Sequence, residues 1–186
     1  MSIADIRKDA EARMTKSVEA LRHELQRLRT GRASTALVEH LKVSYYGSDV
    51  PLSQVANVAV SDSRSLTITP WEKQMVGPVE KAILASDLGL TPNTAGTVIR
   101  INIPALTEER RRDLTKVVHA NAEDAKVAIR NIRRDANHQV KELLKDKQIT
   151  EDEAGRNETE IQKITDAAIK DVEEVVKAKE QELMAV

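Results

Sequence analysis

The feature that most constrains the fold is an uninterrupted helical pattern from residue 106 to residue 147. This run contains no Gly and no Pro, and its apolar residues return every three or four positions. Because an α-helix advances 100° per residue, they form one stripe along a single long helix. The stripe consists of Leu114, Val118, Ala122, Ala125, Ile129, Ile132, Ala136, Val140 and Leu143. At 1.5 Å per residue, about 40 residues make a rod roughly 60 Å long, whose apolar side other helices must cover.

The same helix is predicted to carry a basic face away from the apolar stripe. Its cations fall within about a third of the helical wheel, together with Glu123 and Asn137. They are Arg112, Lys116, His119, Lys126, Arg130, Arg133, Arg134 and Lys141. Such a face is usually only solvated. Two features favour a polyanion site instead: the central cations are Arg, whose planar fork suits phosphates, and few acids lie between Lys126 and Arg134.

Two further amphipathic helices are predicted at the ends of the chain. The first starts at the cap Ser2, continues its apolar seam to Leu28 and ends at Gly31. The last begins at Thr150, which forms a capping box with Glu153, and its seam runs to the C-terminus. Three long helices with one apolar stripe each bury those stripes best in a three-helix bundle.

Between the first two long helices, residues 31–105 follow a different pattern. Short alternating segments separated by turns predict strands, and one helix is expected around Pro78–Ala85. The predicted strands are Leu41–Tyr46, Val50–Leu52, Val58–Val60, Leu66–Thr69 and Val98–Ile103. The predicted class is therefore α+β, with a bundle of residues 1–30 and 106–186 and a small inserted β/α/β domain of residues 31–105.

Two short linkers should join the inserted domain to the bundle and act as a hinge. The outgoing linker is Gly31, Arg32, Ala33 and Ser34, and the returning one is Ile103, Pro104, Ala105 and Leu106. Two short connections permit a swivel of one body against the other while they prevent wide separation. The predicted hinge motion rests on this pair of short connections.

Composition narrows the possible functions. With aromatic residues at 2% and no Cys, the chain has little for base stacking and nothing for thiol or zinc–thiolate chemistry. No paired His spacing or phosphate-binding glycine loop occurs, so no catalytic residue, metal or cofactor is predicted. The net charge of −1 conceals an acidic end, since residues 150–186 carry eleven acidic side chains against five basic ones. No apolar run of about 18 residues occurs, so a cytosolic protein is expected. A helical adaptor for protein partners and, less favoured, an enzyme acting through the inserted domain remain alternatives.

Six blocks of sequence, in order along nearly the whole chain, resemble the bacterial ribosome recycling factor family. They are Ile6-Arg7-Lys8-Asp9-Ala10-Glu11, Leu28-Arg29-Thr30-Gly31-Arg32-Ala33, Tyr45-Tyr46-Gly47, Ser86-Asp87-Leu88-Gly89-Leu90, Leu106-Thr107-Glu108-Glu109-Arg110-Arg111 and Arg130-Asn131-Ile132-Arg133-Arg134-Asp135-Ala136. The segment Thr69–Met75 departs from any block typical of the family.

The resemblance implies a fold, a partner and a set of contact residues. The fold would be L-shaped overall, with dimensions like those of tRNA. The protein would bind the large ribosomal subunit as a monomer and act with elongation factor G and GTP. It would split post-termination ribosomes and release mRNA and tRNA, without bond chemistry or a cofactor of its own and without a membrane. Contacts to ribosomal RNA would fall on Arg29, Arg32, Arg130, Arg133 and Arg134, and the inserted domain would face elongation factor G and the small-subunit side.

Overall fold

The computed structural model describes residues 1–185 and divides them into two compact units. Residues 1–29 and 108–185 form the bundle unit, and residues 30–107 form the inserted unit. The four helices of the described chain are α1 (Ile3–Gln26), α2 (Val76–Ala85), α3 (Glu108–Lys145) and α4 (Glu151–Met184). Three of them build the bundle unit, and α2 belongs to the inserted unit. The α+β class and the three-helix bundle are confirmed.

The bundle unit buries the predicted stripes against one another. Helix α3 buries every member of its predicted stripe except Leu143, which is half-buried. Helix α1 contributes Ile6, Ala10, Met14, Val18, Leu21 and Leu25 to the core. Helix α4 contributes Ile161, Ala168, Val172 and Leu183, together with the polar residues Asn157 and Thr165. The aromatic-free core is therefore aliphatic along its length, as the composition indicates.

The helix starts follow the sequence prediction more closely than the helix ends do. Ser2 and Thr150 cap α1 and α4, each in a complete capping box with Asp5 and Glu153 respectively. Helix α1 ends at Gln26 with its cap at Arg27, so the expectation that it runs to Gly31 is wrong. The apolar residue Leu28 continues the seam in sequence, yet it lies beyond the helix in a half-buried bend.

The inserted unit contains six strands in two antiparallel sheets. Their bounds are β1 (Lys42–Tyr45), β2 (Ser48–Pro51), β3 (Ala56–Asp62), β4 (Ser65–Pro70), β5 (Pro92–Ala95) and β6 (Val98–Asn102). Strands β1 and β2 form a hairpin, and the other four form a sheet in the order β3-β4-β6-β5. Helix α2 packs on an apolar core with these strands. The residues with the least exposed side chains are Val38, Val43, Leu52, Leu66, Ile68, Val79, Ile99 and Ile101.

Two details of the inserted unit differ from the prediction. Strand β5 was not expected, because its residues lack apolar alternation and become a strand only through pairing with β6. The sequence pattern predicts a turn at Gly47, Ser48 and Asp49, but the first hairpin turns at Tyr46 and Gly47, since Tyr45 pairs with Ser48. Both turn residues have positive φ, at 47° and 85°. That geometry belongs to the two-residue type I′ turn, which matches the twist of the flanking strands.

Candidate nucleic-acid interface

Helix α3 holds the three central arginines on a rigid, well-packed frame. Ile129 and Ile132 are buried in the bundle core, at 0% and 6% exposure. Arg130 and Arg133 each follow one of these anchors directly and are half-buried, and the next residue, Arg134, is exposed. Because core and surface positions alternate within one turn, the packing of the isoleucines fixes where the guanidinium groups can reach.

Acidic residues contact several basic side chains of this face between Arg112 and Arg130. The contacts are Arg112 with Glu108 at 3.2 Å, His119 with Glu180 at 2.6 Å, Lys126 with Glu173 at 3.6 Å and Arg130 with Glu123 at 3.4 Å. Two of these acids come from α4, which packs beside α3. The expected shortage of acidic partners around Lys126 and Arg130 is therefore wrong, because Lys126 pairs with Glu173 of α4 and Arg130 reaches back to Glu123 on its own helix.

Arg133 and Arg134 are hydrogen-bonded to neutral groups and have no acidic partner within residues 1–185. Arg133 donates to the side-chain oxygen of Gln162 on α4 at 3.1 Å, and Arg134 donates to that of Asn131 at 3.1 Å. Both acceptors are neutral amides, which orient a guanidinium group without neutralising it. Within residues 1–185 no carboxylate lies within 4 Å of either arginine. Each fork keeps further N–H groups that can donate to phosphate oxygens.

These two arginines line a surface groove between α3 and α4, with a volume of about 540 Å³. Its remaining lining residues are Asn137, His138, Lys141, Glu158 and Gln162. The side-chain oxygen of Asn137 is buried there and has no hydrogen-bond partner within the described chain. Among the polar groups of the groove, two arginines and a lysine outweigh the one carboxylate, so the groove suits an anion.

The other two arginines assigned by resemblance are not brought into this groove. Arg29 is the last residue of the bundle unit before the insertion, and it is exposed. Arg32 is also exposed but belongs to the inserted unit. The structure therefore joins Arg133 and Arg134 in one groove, places Arg130 one turn away on the same helix, and leaves Arg29 and Arg32 at separate positions along the chain.

Both predicted hinge segments are attached to one turn of the inserted unit. The backbone N–H of Ala33 donates to the carbonyl of Ser63 at 2.8 Å, and that of Ile103 donates to the carbonyl of Arg64 at 2.7 Å. The turn itself is held by Asp62, whose carboxylate accepts from the N–H of Arg64 at 2.9 Å. The hydrogen bond from the N–H of Arg64, together with one from the Ser65 side chain, lowers the pKa of Asp62 below its ordinary value. Gly31, with φ of 76°, precedes the attached part of the first segment.

Sequence reasoning missed the contribution of α4 to this surface. Gln162 and Glu158 enter the groove, and Glu173 and Glu180 pair with cations of α3. A usable signal was available, because α3 and α4 are joined by a short connection and must run antiparallel. Positions at equal distances from the connection then face each other, and the acidic residues of α4 fall opposite the basic residues of α3.

Other kinds of site find little support in the described residues. Across residues 1–185, no group of three His, Asp or Glu side chains is placed to hold a metal ion. A helix long and apolar enough to cross a membrane is likewise not found in that range.

Comparison with known proteins identifies the family. The architecture defines a class: a long helical bundle with an inserted α+β unit and a groove lined by arginines. The family model described as ribosome recycling factor matches residues 21–184. The chain belongs to the ribosome recycling factor family.

Similar proteins extend over nearly the whole chain. The ribosome-recycling factor of Xanthomonas campestris pv. campestris (strain B100) is 66% identical over 181 residues, which cover 97% of this chain and 98% of that protein. The one from Xanthomonas oryzae pv. oryzae (strain PXO99A) is 65% identical over 184 residues, covering 99% and 100%. These matches cover both the bundle unit and the inserted unit.

Solved structures give the same family. A solution structure of the ribosome recycling factor matches with a TM-score of 0.75 and 44% identity, covering 100% of this chain and 99% of the other. A second match belongs to models of the T. thermophilus ribosome recycling factor and the E. coli elongation factor G bound to the E. coli post-termination complex. It has a TM-score of 0.63 and 48% identity, and it covers 98% of this chain and 99% of the other.

Proposed function

We propose that this protein is a translation factor that recycles ribosomes after termination. It binds the large subunit and acts with elongation factor G and GTP to split post-termination complexes and release mRNA and tRNA. The observation that carries the proposal is the family match over residues 21–184, supported by full-length relatives at 66% identity. The similar factor shown with elongation factor G on a post-termination complex supports the choice of partners.

The bundle unit supplies the contact to ribosomal RNA in this proposal. The groove of Arg133 and Arg134 supports it, because their charges are oriented by neutral amides and stay available for phosphates. Arg130 lies on the same face, and its exposed pair with Glu123 at 3.4 Å is weak enough to exchange for a phosphate. Arg29 and Arg32 are assigned to the same role by resemblance. Contacts to phosphates position a protein on RNA without reading its sequence, which suits a site present on every ribosome.

The inserted unit is the moving part in this proposal, joined by a hinge at Gly31, Arg32, Ala33, Ser34, Ile103, Pro104, Ala105 and Leu106. Since Ala33 and Ile103 are hydrogen-bonded to the β3–β4 turn, rotation should concentrate in the residues before Ala33 and after Ile103. GTP is hydrolysed by the partner, and this chain acts without a cofactor or bond chemistry, as a monomer in the cytoplasm.

The experiment that tests the function is a polysome breakdown assay with elongation factor G and GTP. The complete reaction should convert polysomes to free subunits and monosomes, and omission of this protein, the partner or GTP should each leave polysomes intact. Polysomes that persist in the complete reaction would overturn the recycling function. The salt dependence of large-subunit binding separates this function from that of an adaptor, since an apolar groove binder is nearly insensitive to salt.

A further inference from the structure

All three aromatic residues of the chain occupy one region of the inserted unit. The sequence contains two Tyr, one Trp and no Phe. Tyr46 is 71% exposed and Trp71 is 66% exposed, while the core beneath them is aliphatic. Trp71 is joined in the chain to Glu72, which contacts both tyrosines. Exposed Tyr and Trp rings are enriched where proteins meet partners, because they offer a large contact area with few rotatable bonds.

Glu72 gathers the two tyrosines into what we call the Tyr–Glu cluster, formed by Tyr45, Tyr46 and Glu72. The phenol of Tyr45 donates to Oε1 at 2.6 Å and that of Tyr46 donates to Oε2 at 2.7 Å. The two rings meet edge to face, with centroids 4.6 Å apart and planes at 75°. Hydrogen bonds from Tyr45 and Tyr46 lower the pKa of Glu72, so its carboxylate is charged at neutral pH.

The charge of this carboxylate has no counterion within residues 1–185. No Lys or Arg of the described chain lies within 4 Å of Glu72, although Lys73 follows it in sequence. Each carboxylate oxygen accepts one phenol hydrogen bond and has capacity for another. The cluster therefore presents two acceptor positions side by side beside an exposed aromatic ring.

Tyr46 occupies a backbone conformation that is unfavourable for its residue type. Its φ of 47° lies in the left-handed region, where Asn and Gly are favoured and a bulky aromatic residue is uncommon. Burial of the ring does not offset this cost, because most of the side chain is in solvent. Backbone strain of this kind concentrates at functional sites. A ring held in solvent at an energetic cost indicates a role in binding.

The chemistry of the cluster selects among possible partners. A negative carboxylate held by both phenol groups repels nucleic acid phosphates, which disfavours base stacking as the role of the cluster. A guanidinium group fits better, since its planar fork pairs with both oxygens of a carboxylate and its face stacks on aromatic rings. We propose that the Tyr–Glu cluster of the inserted unit binds an arginine side chain presented by a protein partner. This proposal concerns binding chemistry and does not depend on the recycling function.

The only Trp of the chain makes the test direct, because fluorescence excited at wavelengths that tyrosine does not absorb reports on Trp71 alone. The probe is the tripeptide Gly-Arg-Gly with both ends blocked, and the matched control peptide carries citrulline, the neutral counterpart of arginine. The arginine peptide should change the emission saturably, with half-saturation at about 1–10 mM for such a small ligand. The citrulline peptide should bind at least fivefold more weakly. Equal responses to both peptides, or none to either, would overturn the proposal.

Variants separate binding from folding. Glu72→Gln should weaken the arginine response at least fivefold, whereas Glu39→Gln, an exposed carboxylate in the same unit, should leave it unchanged. Tyr46→Asn places a favoured residue in the turn, which offsets the lost hydrogen bond to Glu72, so the melting temperature should change little while the arginine response is lost. This variant decides the question even if Glu72→Gln disturbs the hairpin. A retained response in folded Tyr46→Asn would contradict the proposal.

A nucleic acid arm tests the competing occupant. Hexauridylate should leave the Trp71 emission unchanged at concentrations where the arginine peptide saturates it. If the oligonucleotide changes the emission and the arginine peptide does not, the cluster is an RNA-stacking site and the proposal is wrong. A functional polysome assay in the same preparation shows independently whether the recycling function holds.

Discussion

The bundle unit and the inserted unit differ in the elements that build their cores and in the charge of their candidate sites. The bundle unit has an aliphatic core made by three long helices, and its candidate site is cationic, built from Arg133 and Arg134 on α3. The inserted unit depends on strand pairing and holds every aromatic residue of the chain, and its candidate site centres on the carboxylate of Glu72. One chain thus carries a surface suited to phosphates and a second surface suited to a cation.

The two sites also differ in how their charged groups are held. In the bundle unit, neutral amides of Gln162 and Asn131 orient the arginines and leave their charge free. In the inserted unit, two phenols orient a carboxylate and likewise leave its charge free. Both arrangements use neutral partners for positioning. An ion pair in either place would fix the side chain but neutralise the charge that binding requires.

The largest expected effect tests whether the two units are energetically separate. Ile129→Ala removes a fully buried side chain from the bundle core and should cost about 2–5 kcal/mol of unfolding free energy. Hydrogen exchange should show faster opening throughout the bundle unit, with protection of β4 and β6 retained. The reciprocal variant Ile99→Ala should destabilise the inserted unit in the same selective way. Equal loss of protection in both units after either change would show that they unfold together.

The second prediction concerns a fully buried polar side chain in the bundle core that has no partner among the described residues. Asn157 is 2% exposed, and neither of its amide atoms has a hydrogen-bond partner within residues 1–185. Asn157→Leu should therefore raise the unfolding free energy by about 1–3 kcal/mol, measured by urea denaturation. Thr165→Val is the matched control, since that hydroxyl already donates to the carbonyl of Ile161 at 2.8 Å and little gain is expected. Destabilisation by Asn157→Leu would contradict this prediction.

The third prediction addresses the cationic site. Arg133→Ala should weaken binding to the large subunit by about 10- to 150-fold, because a charge-assisted contact contributes roughly 1.5–3 kcal/mol. Loss of one phosphate contact should also reduce the slope of log affinity against log salt concentration by about 0.7–0.9. Fluorescence titration at several salt concentrations measures both quantities. Arg22→Ala removes an arginine from α1 that already pairs with Glu19, and its affinity should match that of the unchanged protein. Equal affinities for the unchanged protein and both variants would show that Arg133 is not part of the interface.

The smallest expected effect is on pH dependence and concerns the inserted unit. The phenols of Tyr45 and Tyr46 lower the pKa of Glu72 in the folded protein. The stability that Glu72 contributes is therefore fully present above its unfolded pKa near 4.5, and it is lost as the pH falls through the lower folded pKa. The pKa values of both tyrosines are raised by Glu72, so their contribution is present below 10.0 and is lost as pH rises through the folded values. Glu72→Gln should flatten both ends of the stability profile of the inserted unit. An unchanged profile from pH 3 to pH 11, scanned by circular dichroism, would show that the cluster adds no stability.

The same contrast explains what could be predicted from the sequence. The bundle was predictable because the stripe from Leu114 to Val140 and the capping box of Thr150 and Glu153 are local patterns. Strand β5 was not, because Pro92–Ala95 has no strand pattern of its own and depends on hydrogen bonds to β6. The arginines were predicted from the periodicity of the helix that carries them. Their surroundings were not, since Gln162, Glu173 and Glu180 reach them from α4, and single-helix periodicity contains no information about a neighbouring helix.

The shared attachment of Ala33 and Ile103 to the turn at Ser63 and Arg64 has a consequence for assembly of the fold. The insertion is a long connection between α1 and α3, and closing a long loop carries an entropic cost that grows with its length. Once the inserted unit has folded, its two ends are pinned to adjacent residues, and the loop behaves as a tight connection. If the inserted unit folds first, the effective sequence separation between α1 and α3 becomes short. Early folding of the insertion should therefore accelerate formation of the bundle.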